Sequence, residues 1–523
     1  MPLDLRQNRG PIDEMDATFR DVLEELQGNI LQGHGRFHAV HLFMYFNEDR
    51  IEDVKRWISK FADRQVTSAW KQVEQAQAYR KHHTDAGVFG HFALSAEGYR
   101  ALGFPEHRIP RGADPRNRNK LEDSDPAKVD YSNVFGAGMA SRQPFLLDPP
   151  QTEFEPGYND PAKPIHAMIL LAADDPAEMA AVERVVVSEL THDGMVEVLA
   201  VEQGVNLKKQ FRFEDGPDGV AVEHFGYVDG RSQPLFLRRQ AEQEDQHTGG
   251  SFWDPRAALS TVLVPDVNGM PSTSFGSFLV YRKLEQNVRG FRDAERKVAA
   301  ELGVSLKLAG AMAVGRFKDG TPVALQAADG ARPIPNDFNY VVDPAAKKCP
   351  LHAHIRKANP RLESVKFGGP FAQTIEEELG HRIARRGIPY GGPLSESEKP
   401  DELPSRGVGL LFFCYQSDIW EQFEFIQRFW ANNPLFVEPG LEGKAKANYP
   451  DATGIDAVIG QAIPDTTDPL IPVQGEPPRH WPKEWGKPPT TPVKTDFAGF
   501  VTLKGGEYFF APSVGFLRSL ATR

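Results

Sequence analysis

The chain has 523 residues, with 60 Lys and Arg against 72 Asp and Glu for a net charge of −12, and is 40% apolar, 10% aromatic and 25% charged. That composition excludes a disordered or fibrous chain, and a negative balance without any Lys/Arg-rich block argues against a nucleic-acid partner, which needs a basic face. No apolar run approaches the roughly 18 residues of a membrane helix, and two cysteines, Cys349 and Cys414, are too few for a disulfide framework or a four-cysteine zinc site.

The N-terminus lacks an apolar stretch after its first charges, so the reading is a cytoplasmic protein without a secretory signal. Apolar spacing predicts a helix over Asp13–Leu26 (Met15, Phe19, Val22, Leu23, Leu26), a strand over His38–Phe46, and a helix over Ile51–Phe61 capped by Asn47 or Asp49. Residues 104–165 are rich in Pro, Gly, Asp, Asn and Arg and read as a long ordered loop system of functional character. A strand (His166–Ala172) and a helix (Pro176–Leu190) follow. A second half then opens with strand Gly276–Arg282 and helix Glu285–Leu302, and closes with strand Gly407–Tyr415 and helix Asp418–Trp430. Residues 462–496 are Pro-rich and read as a surface wrap, and Lys504–Phe510 as a closing edge strand. Strand–helix–strand units in both halves suggest two α+β modules around one core.

Three places carry side chains suited to chemistry. Cys349, His352, His354 and, further on, His381 could supply three or four zinc ligands. A single histidine could instead hold haem iron, or the group could be ordinary loop residues. Asp229 sits in Gly226-Tyr-Val-Asp229-Gly230. Asp-Gly is most simply a turn, but glycines this close to a carboxylate would let backbone approach a flat ligand, with Asp229 as general base. Arg385-Arg386 precedes Gly387-Ile-Pro-Tyr-Gly391 after a predicted helix over Thr374–Ala384. The pair is either a solvated helix C-terminus or a fixed cation facing a bound anion or peroxide.

In order along the chain, GNILQGHGR at 28–36, GYVDG at 226–230, AGAMAVGRFKDGTPV at 309–323, NDFNY at 336–340, CPLHAHIRKANPR at 349–361, RRGIPYG at 385–391, GLLFFCYQ at 409–416 and GGEYFF at 505–510 resemble the dye-decolorizing peroxidases, in their large fungal and bacterial subgroup. The resemblance runs from about Leu26 to Leu520. It implies an α+β fold of two ferredoxin-like modules packed as one haem-peroxidase unit, related to the dimeric α/β barrels. The modules are expected at 1–265, with the inserted loop and the Gly-x-x-Asp-Gly segment, and at 266–523, with the haem and the Pro-rich wrap.

It further implies haem b, held non-covalently, with His354 as proximal iron ligand, Asp229 and Arg385 as the catalytic pair, and Leu410 and Phe412 as the apolar lining of the peroxide side. Gly230 lies against the cofactor, Asp456 resembles the acidic partner of the proximal imidazole, and Arg361 and Arg356 are candidates for the haem propionates. The activity implied is oxidation of dyes, phenols and other aromatic reductants by H2O2, in one-electron steps through an oxo-ferryl intermediate. The alternative is a haem carrier or iron-release protein without peroxidase turnover. An ordinary carboxyl has a pKa of about 3.9, so an aspartate base stays competent in acid and the expected optimum is acidic. Electrons from bulky dyes would pass through surface aromatics, for which Trp253, Tyr390 and Trp420 are candidates. Little chain follows the fold after Leu517, which leaves little room for a docking tail, so encapsulation in a protein shell is not expected.

Overall fold

The computed structural model describes residues 3–82, 84, 86–111, 133–365, 373–395, 397, 399–434, 436, 454–461, 481–487 and 497–523. Eight strands carry the architecture: β1 (His38–Phe46), β2 (Phe89–Leu94), β3 (Ala167–Ala173), β4 (Val196–Val205), β5 (Phe275–Gln286), β6 (Ile388–Tyr390), β7 (Gly409–Gln416) and β8 (Val501–Ala511). The first four pair antiparallel in the order β2-β3-β1-β4, the last four in the order β6-β7-β5-β8. Each half therefore has the same 2-3-1-4 order in its own numbering, with helices α1 (Ile51–Arg64), α2 (Pro176–Thr191) and α3 (Val288–Leu302) and a π-wound segment over Ile419–Ala431 in its crossovers. These are the two ferredoxin-like α+β modules that the sequence leads one to expect.

The two half-sheets join edge to edge and close a ring. Phe510 of β8 pairs with Leu94 of β2, and Tyr390 of β6 pairs with Gly204 of β4. Closure removes free sheet edges, which otherwise invite pairing with other chains. At the second seam glycine is required: a Cβ on Gly204 would stand 2.4 Å from the Ile388 side chain.

Strand residues alternate between two apolar clusters because successive side chains point to opposite faces. Val40, Leu42 and Met44 pack outward with Val54, Ile58 and Phe61 of α1. Phe43, Leu279, Tyr281, Phe413, Tyr415 and Phe509 fill the ring's interior. With both faces covered, β3 is buried at every position, which is why it reads as a continuous apolar run.

The differences from expectation have local causes. The first helix shortens to Arg20–Glu25 after a 3-10 turn capped by Asp16. Asn47 caps the 3-10 turn Glu48–Arg50, whereas α1 itself begins at Ile51 without a side-chain cap. β5 runs on to Gln286, so α3 starts only at Val288, where Asn287 accepts from Gly290 N–H. The helix expected over 374–384 ends at Gly380 after a Thr374–Glu377 capping box; Arg385 lies instead in a two-residue strand paired to Cys414 of β7. The closing strand β8 is not an edge strand: it lies between β5 and β2, a position only ring closure creates. Of the long loop, residues 112–132 lie outside the described residues, and the remainder contains short helical turns at Val134–Ala137, Met139–Arg142 and Gln143–Leu146. The Pro-rich wrap lies outside them except for residues 481–487.

Candidate active site

A cavity of about 250 Å3 brings together His354, Asp229, Gly230, Arg385, Leu410, Phe412 and Arg361 from segments far apart in the chain. His354 opens the short helix His354–Ala358. Its Nδ1 lies 2.9 Å and 3.1 Å from the two oxygens of Asp456, a fully buried carboxylate. Oδ1 of Asp456 also accepts from Val458 N–H at 2.7 Å and Ile459 N–H at 2.9 Å. Burial by itself would raise the Asp456 carboxyl, but the His354 imidazole and these two N–H groups bring it below its ordinary value. An ionised Asp456 fixes Nδ1 as the protonated nitrogen and leaves the Nε2 lone pair for a metal.

Asp229 is presented by the two glycines around it. Gly226 and Gly230 have φ of 86° and 81°, in the left-handed region that glycine alone enters freely. A Cβ on Gly230 would meet nothing within 4 Å, so the backbone here faces open space. Asp229 Oδ1 accepts from Gly230 N–H at 2.7 Å and from Arg385 Nη1 at 3.3 Å. Arg385 is fixed by donating through Nη2 to the Arg231 carbonyl at 2.9 Å, and through its backbone N–H to Gln233 Oε1 at 3.0 Å. Leu410 and Phe412 line the same cavity from alternate positions of β7, whose Leu411 and Phe413 turn into the ring.

Two arginines on the cavity wall are buried, and their described hydrogen bonds run to neutral oxygens. Arg361 donates to the carbonyls of Asn336 (2.6 Å) and Phe338 (2.9 Å), to Asn336 Oδ1 and to Ser232 Oγ, and lies over the rings of Trp253 and Phe338. Arg316 donates to the carbonyls of Gly320 and Pro335, each at 2.8 Å. Burial pushes Arg316 down to about 9, with the neighbouring Arg361 adding to it, and burial pushes Arg361 down to about 10. Buried guanidinium groups whose described hydrogen bonds reach no carboxylate suit an anionic ligand. Sequence reasoning did not single out Arg316, because nothing in Val314-Gly-Arg316-Phe distinguishes a buried arginine from a solvated one.

Arg356 is not brought to the cavity. It is fully buried in an ion-pair network with Glu363 and Asp343, which consumes its donors. The zinc reading fails as well: among the described residues no three His, Cys, Asp or Glu gather as a metal site. His352 packs edge-on against Trp481, His381 stacks on Phe425, and burial pushes the Cys349 thiol up to about 12. Trp253, Tyr390 and Trp420 are 2%, 8% and 5% exposed, so none of the three is a surface aromatic.

The set fits haem: one imidazole of fixed tautomer, an apolar wall, open space at Gly230 and, for carboxylate substituents, two buried cations whose described hydrogen bonds reach no carboxylate. No protein-family model matches the chain. It is 37% identical over 510 residues to the multifunctional dye peroxidase DyP2 of Amycolatopsis sp. (strain ATCC 39116 / 75iv2), covering 95% of this chain and 96% of that one. It is 30% identical to the dye-decolorizing peroxidase msp1 of Mycetinis scorodonius, over 74% of this chain and 72% of that one. Among solved structures, a DyP-type peroxidase of Anabaena sp. superposes with a TM-score of 0.81 at 38% identity, covering 98% of this chain and 97% of its own. Near-complete coverage at that identity decides the matter: the chain belongs to the dye-decolorizing peroxidase family.

Proposed function

We infer that the protein is a haem peroxidase that uses H2O2 to oxidise dyes, phenols and other aromatic reductants in one-electron steps, with haem b held non-covalently and His354 as its iron ligand. The observation that carries this reading is the convergence of the His354–Asp456 and Asp229–Arg385 pairs on one apolar-walled cavity. Bound haem supplies the iron at which peroxide is activated and the store of oxidising equivalents. The residues do the rest.

Asp456 takes the Nδ1–H of His354 and raises the basicity of the ligating Nε2. Asp229 removes the proton from one peroxide oxygen and returns it to the other. Its Oδ1 accepts both described hydrogen bonds, so we assign that proton to Oδ2. Arg385 opposes the negative charge that develops as the O–O bond lengthens. Leu410 and Phe412 keep that side dry and admit a molecule the size of peroxide. Arg361 and Arg316 suit the cofactor's carboxylates; Arg356, already neutralised, is replaced by Arg316 in this role. We propose the module boundary at 265–266, between the two half-sheets. We also propose a cytoplasmic location, supported by two free buried cysteines; among the described residues no helix is long and apolar enough to cross a membrane.

The test is the absorbance spectrum of haem-loaded protein before and after one equivalent of H2O2, in wild type and Asp229→Ala. The Soret band of the wild type falls and shifts, and the variant responds about 10²- to 10⁴-fold more slowly. Equal bleaching in both would select the haem-carrier reading, and failure to load haem would remove His354 as ligand.

A further inference from the structure

Two non-glycine residues beside the cavity have left-handed backbone, Ser232 at φ 65° and Arg361 at φ 51°, and their side chains bond to each other at 2.5 Å. A Cβ crowds the neighbouring carbonyl in that region, so such conformations persist only where the surroundings hold them. Ser232 Oγ is held on three sides. It donates to Asn336 Oδ1 at 2.8 Å and accepts from Nη2 of Arg361 and, at 3.4 Å, from Nη2 of Arg316. Arg361 Nη2 reaches the same Asn336 Oδ1 at 2.8 Å, closing a triangle. Three residues earlier in the chain stands Asp229. The residues on either side of Ser232, Arg231 and Gln233, both grip Arg385, through a carbonyl and a side-chain oxygen.

We propose that Ser232 is a positioning residue for Asp229: its hydroxyl, clasped by Asn336, Arg361 and Arg316, holds the Asp229–Gln233 segment in the left-handed bend that sets the carboxylate against Arg385. The inference rests on the assignment of Asp229 as the proton shuttle. Ser232 need not meet the peroxide; it fixes where the shuttle stands. It also ties that segment to the two arginines assigned to the cofactor, so the two sides of the cavity share one anchor.

Two substitutions separate the bend from the hydroxyl. Ser232→Ala keeps the Cβ that disfavours the bend and removes the group that holds it, whereas Ser232→Gly loses the hydroxyl but enters the left-handed region freely. In the holoenzyme, S232A reacts with H2O2, per bound haem, on the order of 10- to 100-fold more slowly than wild type, with the KM for dye unchanged. S232G recovers most of the rate. A crystal structure of haem-free S232A shows the segment relaxed, with Asp229 and Arg385 further apart than 3.3 Å. An S232A as fast as wild type overturns the proposal, and so does an S232G as slow as S232A, which would make the hydroxyl itself the active element. Should S232A not fold, a slow S232G alone overturns it and a fast one supports it. The Asp229→Ala control tells the two failures apart. If that variant is slow while S232A is fast, only the positioning role falls; if it is itself fast, the shuttle assignment falls first.

Discussion

His354 and Asp456 meet at 2.9 Å with the carboxylate wholly buried, whereas Asp229 and Arg385 meet at 3.3 Å with 28% and 34% of their side chains exposed. The first pair is anchored further by two backbone N–H groups on Asp456; the second hangs on a segment between two glycines in left-handed conformation. A group that orients a metal ligand has to hold one tautomer and one direction, which burial and multiple hydrogen bonds secure. A group that moves a proton to and from a small solute has to meet that solute, so it stays open and loosely paired. On the proposed roles, the same cavity combines a rigid wall and a responsive one.

That contrast can be broken by experiment. The largest effect falls on the rigid side: His354→Ala abolishes the histidine-ligated Soret band on haem titration, and with it peroxidase turnover. A variant that still loads haem with an unchanged spectrum would move the ligand elsewhere. On the responsive side, Arg385→Ala lowers the rate of reaction with H2O2 by about 10²- to 10³-fold while haem loading stays intact, as measured by stopped-flow absorbance. Asp456→Asn is milder, costing about 10- to 100-fold in haem affinity or turnover; the variant should also move the iron potential upward, as a less basic imidazole does. An Asp456→Asn protein with unchanged potential would reduce the pair to packing.

The smallest effect is on stability against pH in the haem-free protein. A carboxyl held below its ordinary value contributes its stability in full above the unfolded pKa, about 3.9, and loses it as pH falls through the lower folded value. Asp456 is such a group. The gap in urea midpoint between wild type and Asp456→Asn should stay level from neutral pH down to about 4 and then close. A gap that widened in acid would reverse the assigned direction.

How much of this was legible beforehand depends on whether the deciding contact is local. β1, β3 and α1 follow from the pattern of apolar residues, since a strand covered on both faces or an amphipathic helix declares itself within a few residues. The interior place of β8 does not, because it depends on Phe510 meeting Leu94 more than 400 residues away. Arg356 and Arg361 lie in one segment with nothing local to rank them. The structure separates them, because Glu363 and Asp343 neutralise the first, while the described hydrogen bonds of the second run to neutral oxygens. Asp456 stands 102 residues from His354 and was reached through family resemblance rather than spacing. Arg316 lies in the family-like 309–323 segment, but nothing local marks it, or Ser232, as a buried anchor.

The closed ring has one more consequence. Its interior is filled by Phe43, Tyr281, Phe413, Phe509 and their neighbours, so it is a solid keel rather than a conduit. The keel's task is to keep β7 from flexing. Loop insertions far from the Asp229–Gln233 segment should then be absorbed silently, whereas an enlarged side chain inside the ring, remote from any reacting atom, would be felt at Leu410 and Phe412.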